Sequence, residues 1–265
     1  MSRNGNIGKD IREIHASRNI LRSLVAKNLF GRYRNSALGF AWHFITPLAM
    51  LAVYYVAFTG IRTSPIPDFW VYLASGIFPF TFMTSNLAGG AGAVTSNAGM
   101  VKKMYFPREI LVLAHVISGF ITMLLGYIAV LVIIAVSGYP LDPVSLLMLP
   151  VILILMAAFT TGYVFLFSSL TVYVRDVQYI LGSLTMVFFF MTPMYFITAD
   201  ATGLLGNIIW VNPFTYYIEA LHSAVYFGEI PEMKILLMCA VLPVITLVLG
   251  LAVFRRLRRG FAERL

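Results

Sequence analysis

The residues whose types and spacing could do chemistry gather in one stretch, Val101-Lys102-Lys103-Met104-Tyr105-Phe106-Pro107-Arg108-Glu109. It carries the one Lys-Lys pair in the middle of the chain, and long apolar runs stand on both sides. A short helix starting at Asn97, a good N-cap residue, puts Met100, Val101, Met104 and Tyr105 on one face and Lys102 and Lys103 on the other. Pro107 falls where the first turn of a following helix tolerates proline, and Glu109 suits that helix's positive end. Arg108 does not suit that end, so it is expected to serve a partner or a lipid phosphate. The same residues also fit a basic loop that merely holds the cytoplasmic side of a membrane protein.

Other chemistry is conspicuous by what the sequence omits. No Asp, Glu, Lys or Arg falls within the cores of the apolar runs, whereas ion-driven carriers and proton pumps use intramembrane ionisable residues. His43 and His115 sit near the cytoplasmic ends of such runs and read as packing residues. There is no G-x-x-x-x-G-K-[ST] phosphate loop, no Ser/His/Asp arrangement and no H-E-x-x-H. No catalytic residue and no metal ligand set is therefore assigned, and the lone Cys239 rules out disulfides within the chain. A carrier of this kind must borrow its driving force, and a separate ATPase docking on the cytoplasmic elements would supply it. The apolar runs are instead rich in aromatics: Tyr54, Tyr55 and Phe58, then Phe78, Phe80 and Phe82, then Phe188, Phe189, Phe190 and Tyr195. Aromatic faces suit the apolar C–H surfaces of sugar rings; taken singly these residues fit lipid-facing or packing roles better, but as a group, beside the absence of charge, they point to a neutral or sugar-like cargo.

The elements that must position these residues follow from composition. The 265-residue chain is 60% hydrophobic and 11% charged, with mean hydropathy +0.86. A soluble domain would carry about 25% charged residues. Continuous rather than alternating apolar runs point to an all-α integral membrane protein. Six spans are expected at 40–60, 69–88, 110–136, 144–170, 180–196 and 235–254, in one transmembrane domain covering 1–265. Pro47 is expected to kink the first span, and Gly89, Gly90 and Gly92 either allow close helix packing or mark a break. Residues Ser17 to Tyr33, within a cytoplasmic segment 1–36, read as an amphipathic helix lying on the membrane. Ile20, Leu21, Leu24 and Val25 share one face, with Arg18 and Arg22 opposite. Between spans five and six, 198–232 holds two apolar pieces, about Leu204 to Val211 and Phe214 to Tyr226, divided by Asn212-Pro213. Each is too short to cross a bilayer, so together they are expected to form an external re-entrant or interfacial hairpin, the alternative being a single broken external helix that only packs.

The net charge of +8 does not point to nucleic acid, because its placement is juxtamembrane. Eight of the 19 Lys and Arg lie in the first 34 positions and five more follow Phe254. With both termini in the cytoplasm, 17 of the 19 fall on that side, leaving only Arg62 and Lys234 outside. Six of the 11 acidic residues lie outside: Asp68, Asp142, Asp200, Glu219, Glu229 and Glu232.

Four blocks, in order, resemble a known family: Lys27-Asn28-Leu29-Phe30-Gly31-Arg32-Tyr33-Arg34-Asn35-Ser36-Ala37-Leu38-Gly39-Phe40-Ala41-Trp42 running to Pro47, then Asn97 to Glu109, Val174-Arg175-Asp176-Val177, and Asn212-Pro213-Phe214-Thr215-Tyr216. The family is the ABC-2 type permeases that export polysaccharide, and the resemblance covers essentially the whole chain. It implies the membrane subunit of an O-antigen, capsule or teichoic acid exporter in a bacterial or archaeal cytoplasmic (inner) membrane. It also implies a homodimer working with two copies of a separate ATPase, which would hold ATP and Mg, and a cargo linked to undecaprenyl pyrophosphate or a similar lipid. Arg32, Arg34, Asn97, Lys102, Lys103, Tyr105, Phe106, Pro107, Arg108, Glu109, Arg175 and Asp176 would then belong to the ATPase-coupling elements. Trp42, Tyr54, Tyr55, Phe58, Phe80, Phe188, Phe189 and Tyr195 would line the channel. Trp210, Asn212, Pro213, Tyr216 and Tyr217 would belong to an external gate. Phe80 departs from the Trp that family members often carry after this proline. Two rivals stand beside this reading: an ABC-2 permease for a small molecule, and a non-transporting scaffold of a glycan synthesis complex.

Overall fold

The structure is a computed structural model that describes residues 12–13, 15–31, 38–61 and 66–265. Arg32, Arg34 and Arg62 lie outside the described residues, and of His43 and Pro47 only the main chain is described. The described residues are helical throughout their ordered elements, without strands. In chain order they are α1 (Arg18–Gly31), α2 (Trp42–Ile61), α3 (Phe69–Ala91), α4 (Ala98–Lys103), α5 (Glu109–Val136), α6 (Pro143–Leu146) and α7 (Leu149–Tyr173). There follow α8 (Asp176–Met191), α9 (Gly203–Ile208), α10 (Pro213–His222), α11 (Met233–Leu257) and α12 (Phe261–Arg264). Among the described residues, three stretches, Glu109–Val136, Pro143–Tyr173 and Met233–Arg264, are long and apolar enough to cross a membrane. At 28 residues α5 measures about 42 Å, against a hydrocarbon core of about 30 Å.

Helix α3 is the hub, packing against α2, α5, α7, α8 and α10. Small residues let it do so, since apolar side chains in lipid gain nothing by burial alone and close main-chain approach supplies the dispersion energy. A Cβ on Gly90 would meet Val164 of α7 at 2.8 Å, and Gly126 of α5 receives the Phe78 ring. The glycines of α3 thus serve close packing: Gly89 and Gly90 stay inside the helix, and the end comes at Gly92. The tightest crossing is between α7 and α11, where Gly162 and Gly250 bring main chain against main chain.

The contacts fix the directions of these helices. Along α3 and α5, Ser75 meets Tyr127, Phe82 meets Phe120 and Gly89 meets His115, so the two run antiparallel. Along α7 and α11, Phe159 meets Thr246, Phe165 meets Phe254 and Tyr173 meets Leu257, so these two run parallel. One end of the bundle consequently collects Lys102, Lys103, Arg108, Arg175 and Arg255 to Arg264. The other collects Asp68, Asp142 and Glu229, where the Tyr226 hydroxyl donates to the Pro67 carbonyl at 2.7 Å and Tyr139 donates to the Tyr226 carbonyl at 2.7 Å.

Several expected boundaries are corrected. The fifth apolar helix was expected over 180–196; α8 starts at Asp176 and stops at Met191, about 24 Å for its 16 residues. Thr192 is driven to extended geometry (φ −97°, ψ 139°) by the proline after it, and Tyr195 and Phe196 lie beyond the helix. The fourth stretch is interrupted between α6 and α7, and the sixth runs on to Leu257. The apolar stripe of α1 does not simply face a membrane surface: Leu24 is buried, Ile20, Leu21 and Val25 are half-buried, and α1 packs on α5. Arg18 and Arg22 remain exposed, as the periodicity requires.

Candidate coupling, channel and gate sites

At the basic end, α4 begins after Asn97 as expected, but the Asn97 side chain does not cap it. Its amide donates to the Ala93 carbonyl at 2.9 Å, and its oxygen accepts from Lys27 at 3.4 Å, tying α1 to this segment. Lys102 and Lys103 are exposed in the last turn of α4, where unpaired carbonyls favour cations. Met104 is already extended, so it and Tyr105 leave the helix instead of sharing its apolar face. Tyr105 is 96% exposed, while Phe106 turns into the core. Pro107 leads into α5, whose first residue, Glu109, is 3% exposed and ion-paired with Arg258. Arg108, expected to serve a partner or a lipid phosphate, is half-exposed and also holds contacts within the chain. Its guanidinium donates to the Arg258 carbonyl and lies 6.0 Å over the Phe261 ring. Arg175 and Asp176 are exposed at the start of α8, with Asp176 in the first turn where the helix dipole favours it. A cavity of about 470 Å³ beside them is lined by Thr95, Ser96, Gln178 and Arg264 among others.

The aromatic residues come together across elements far apart in sequence. Tyr54 and Phe58 of α2 meet Phe189 of α8 at 5.0 and 6.2 Å between ring centroids. Phe58 stacks on Tyr195 at 4.6 Å and 7°, and Phe80 of α3 meets Phe189 at 5.6 Å. Phe188 and Phe80 both reach Phe214 of α10, at 4.9 and 6.4 Å. Phe80 itself is buried behind Phe189 and Phe214, so it supports the cluster and offers no face to a ligand. Tyr55 turns to the other side and stacks on Phe69 at 6.2 Å. Trp42 opens α2, about 18 Å of helix from Tyr54, and is not part of the cluster.

The stretch expected to form the gate is locked into the core on its second arm. The Asn212 oxygen caps α10 through the Phe214 amide at 3.0 Å, with Pro213 at the favoured first position. The Asn212 amide donates to the Thr192 hydroxyl at 2.8 Å, joining the end of α8 to the start of α10. Tyr217 is fully buried and donates to the Cys239 carbonyl of α11 at 3.1 Å, so it anchors the arm instead of facing an exit. Trp210 and Tyr216 pair with each other, rings 5.4 Å apart, and the Tyr216 hydroxyl donates to the Trp210 carbonyl.

Sequence reasoning missed the group that holds this arm to α3. His222 is fully buried, stacked on Tyr72 at 3.9 Å and 6°. Its Nε2 lies 3.0 Å from the Pro193 carbonyl, which can only accept, so Nε2 carries the proton. Nδ1 then accepts from the Ser75 hydroxyl at 2.8 Å. Tyr72 donates to the Pro193 and Phe196 carbonyls at 3.0 and 2.7 Å, and Tyr127 donates to the Ser75 carbonyl at 3.0 Å. Burial pushes the His222 pKa down to about 3, against the opposing pull of the Pro193 carbonyl, so the ring is neutral. The signal was available: Phe214, Tyr217, Ile218 and Leu221 define an apolar helix face on which His222 also falls. Further out on the same arm, burial raises the Glu219 carboxyl above its usual range although Thr198 donates to it at 2.7 Å.

Residues 20–226 match the ABC-2 type transporter family. Among curated relatives, the O-antigen export system permease protein RfbA of Myxococcus xanthus is 28% identical over 256 residues, 96% of this chain and 98% of that protein. RfbA of Klebsiella pneumoniae is 27% identical over 92% of this chain and 94% of its own length. The polysialic acid transport protein KpsM of Escherichia coli is 24% identical over 94% of this chain and 95% of its own length. The match covers most of α1, the basic segment, the aromatic helices and the buried helix α10, and the chain belongs to the ABC-2 type transporter family.

Proposed function

We propose that this chain is the membrane permease subunit of an ATP-driven exporter that moves a lipid-linked polysaccharide, of the O-antigen or capsule type, across the cytoplasmic membrane. The observation that carries this reading is the end-to-end match to O-antigen export permeases, 96% of this chain against 98% of the relative. The partition of charge between the two ends of the bundle supports a six-span arrangement with the basic end in the cytoplasm. The sequence holds no phosphate loop, so the ATP and Mg would be held by a separate ATPase, docked where Lys102, Lys103, Tyr105 and Arg175 stand exposed. A second copy of the chain completes the path. The half-buried rings of Tyr54, Phe58, Phe189 and Tyr195 are suited to slide along sugar C–H faces without fixing any one of them. Cytoplasmic cations draw the carrier's pyrophosphate to the rim. Nucleotide-driven movement of the ATPases pushes α4 and the Arg175 turn, and the 198–232 hairpin opens at the exit.

Depletion of the protein in its native host, followed by leaflet-resolved glycan labelling, tests this. Carrier-linked polymer trapped on the cytoplasmic side is the expected result. Normal surface glycan with nothing trapped inside refutes it and leaves small-molecule efflux as the reading. Failure of the purified chain to associate with and stimulate any ATPase would instead leave the scaffold reading.

A further inference from the structure

The last residues of the chain do more than place positive charge at a membrane surface. After α11, the helix tightens into a 3-10 turn over Arg258–Gly260 and turns into α12. Phe261 is fully buried there against Phe254, with ring centroids 5.4 Å apart. On one side of this hook, Arg258 pairs with the buried Glu109, and its own carbonyl accepts from Arg108. On the other side, the Tyr173 hydroxyl donates to the Leu257 carbonyl at 3.0 Å, and the Arg264 guanidinium lies 5.8 Å over the Tyr173 ring. Gly260 is pressed against that same hydroxyl, where a Cβ would collide. Helix α12 also packs on α4 and on α7. The hook therefore touches both stretches that carry exposed partner-facing residues, the 97–108 segment and the turn from Tyr173 to Asp176, which are otherwise some 70 positions apart in the chain.

We propose that the C-terminal hook, residues 258–265, is a bracket that makes these two cytoplasmic elements one body, with Arg258 as its positioning residue. The inference rests on the permease reading above. Residues 104–108 are not helical, so without a support a push on α4 would be absorbed by bending there. Arg258 closes that escape, because its side chain holds the first residue of α5 while its main chain holds Arg108. Tyr173 carries the same hold to the start of α8. Force applied by an ATPase at either element then reaches α5, α8 and α11 together.

The test uses the full chain with its ATPase in lipid vesicles, comparing Arg258→Gln, Arg258→Lys and Tyr173→Phe with the unaltered protein. Glycan moved per ATP hydrolysed is expected to fall at least tenfold in Arg258→Gln and about threefold in Tyr173→Phe, with ATPase association and hydrolysis retained. Arg258→Lys, which keeps the charge facing Glu109, is expected to recover most of the loss. A second readout does not depend on cargo. Spin labels at Met104→Cys and Tyr179→Cys, in a Cys239→Ser background with one labelled copy per complex, should give one narrow distance that broadens in Arg258→Gln. Unchanged coupling together with an unchanged distance distribution overturns the bracket. If Arg258→Gln does not fold, Tyr173→Phe, a surface change of one hydroxyl, decides by the same two measurements. Unaltered protein that stimulates its ATPase yet moves no glycan counts against the permease reading, and the spin-label result then judges the bracket by itself.

Discussion

Replacing Asn212 by alanine tests how the α10 arm is held. The side chain has two jobs at once: its oxygen caps α10, and its amide bridges to Thr192 at the end of α8. Loss of a cap costs about 1 kcal/mol, and loss of a buried neutral hydrogen bond costs about 1 kcal/mol more. Thr192 is not orphaned, since its hydroxyl still donates to the Phe188 carbonyl at 2.6 Å, so no further desolvation penalty is added. The total of about 2 kcal/mol should raise the local opening equilibrium of α10 by roughly 30-fold, at 1.4 kcal/mol per factor of ten. Amide hydrogen exchange of Phe214 to Leu221 in lipid nanodiscs reads this directly, with α5 as an internal reference. Asn212→Ser retains a capping oxygen but cannot reach Thr192, so about half the effect should remain. In the double-mutant cycle with Thr192→Val, the coupling energy should be about 1 kcal/mol. An Asn212→Ala exchange change below threefold, or an effect spread evenly over α5 and α10, would refute the idea that this residue pins the arm.

Three further outcomes follow from the same geometry. His222 has a folded pKa of about 3, below its ordinary 6.5, so folding favours the neutral ring; its contribution is intact above pH 6.5 and is lost as pH falls toward 3. The slope should reach at most about 1.4 kcal/mol per pH unit in α10 exchange protection, and His222→Gln should flatten it. Gly162→Val at the α7–α11 crossing forces side-chain atoms into the Thr246 main chain, so folded yield and melting temperature should collapse by the equivalent of about 3 kcal/mol or more. A Gly162→Val protein with an unchanged melting temperature would contradict that main-chain contact. Lys102→Glu, on an exposed last turn, should leave thermal stability within about 0.5 kcal/mol while weakening ATPase association severalfold; a stability loss with normal association would place Lys102 in the fold instead.

The long helices were legible because lipid demands continuous apolar runs, and their order follows from that demand. Their ends were less so. Apolarity continues through Met194, Tyr195 and Phe196, and it concealed the stop that Pro193 imposes through Thr192. The arginines after Phe254 were read as topogenic charge, which is what a one-dimensional count can see. That Arg258 meets Glu109 across 149 positions has no local signature. Tyr217 was assigned to the gate by its neighbourhood to Asn212-Pro213, yet helical geometry sends it to α11. His222 was the avoidable omission, because the periodicity of α10 alone places an imidazole on its apolar face. The aromatic group was recognised as a set, but only the fold separates the half-buried rings of Tyr54, Phe58, Phe189 and Tyr195 from the supporting Phe80.

The Gly162–Gly250 crossing has one more consequence. Helices separated by side chains can slide, because rotamers between them exchange and re-form contacts at little cost. Here main chain meets main chain with nothing between to exchange, and Thr246 closes the adjoining space with bonds to Phe159 and Leu242. Helices α7 and α11 are therefore a single stiff plank, and a working cycle cannot shear them. Displacement must be taken up at the plank's borders, where Gly92 and the Thr192–Pro193 break interrupt the regular helix. Whatever moves one of these two helices must carry the other with it.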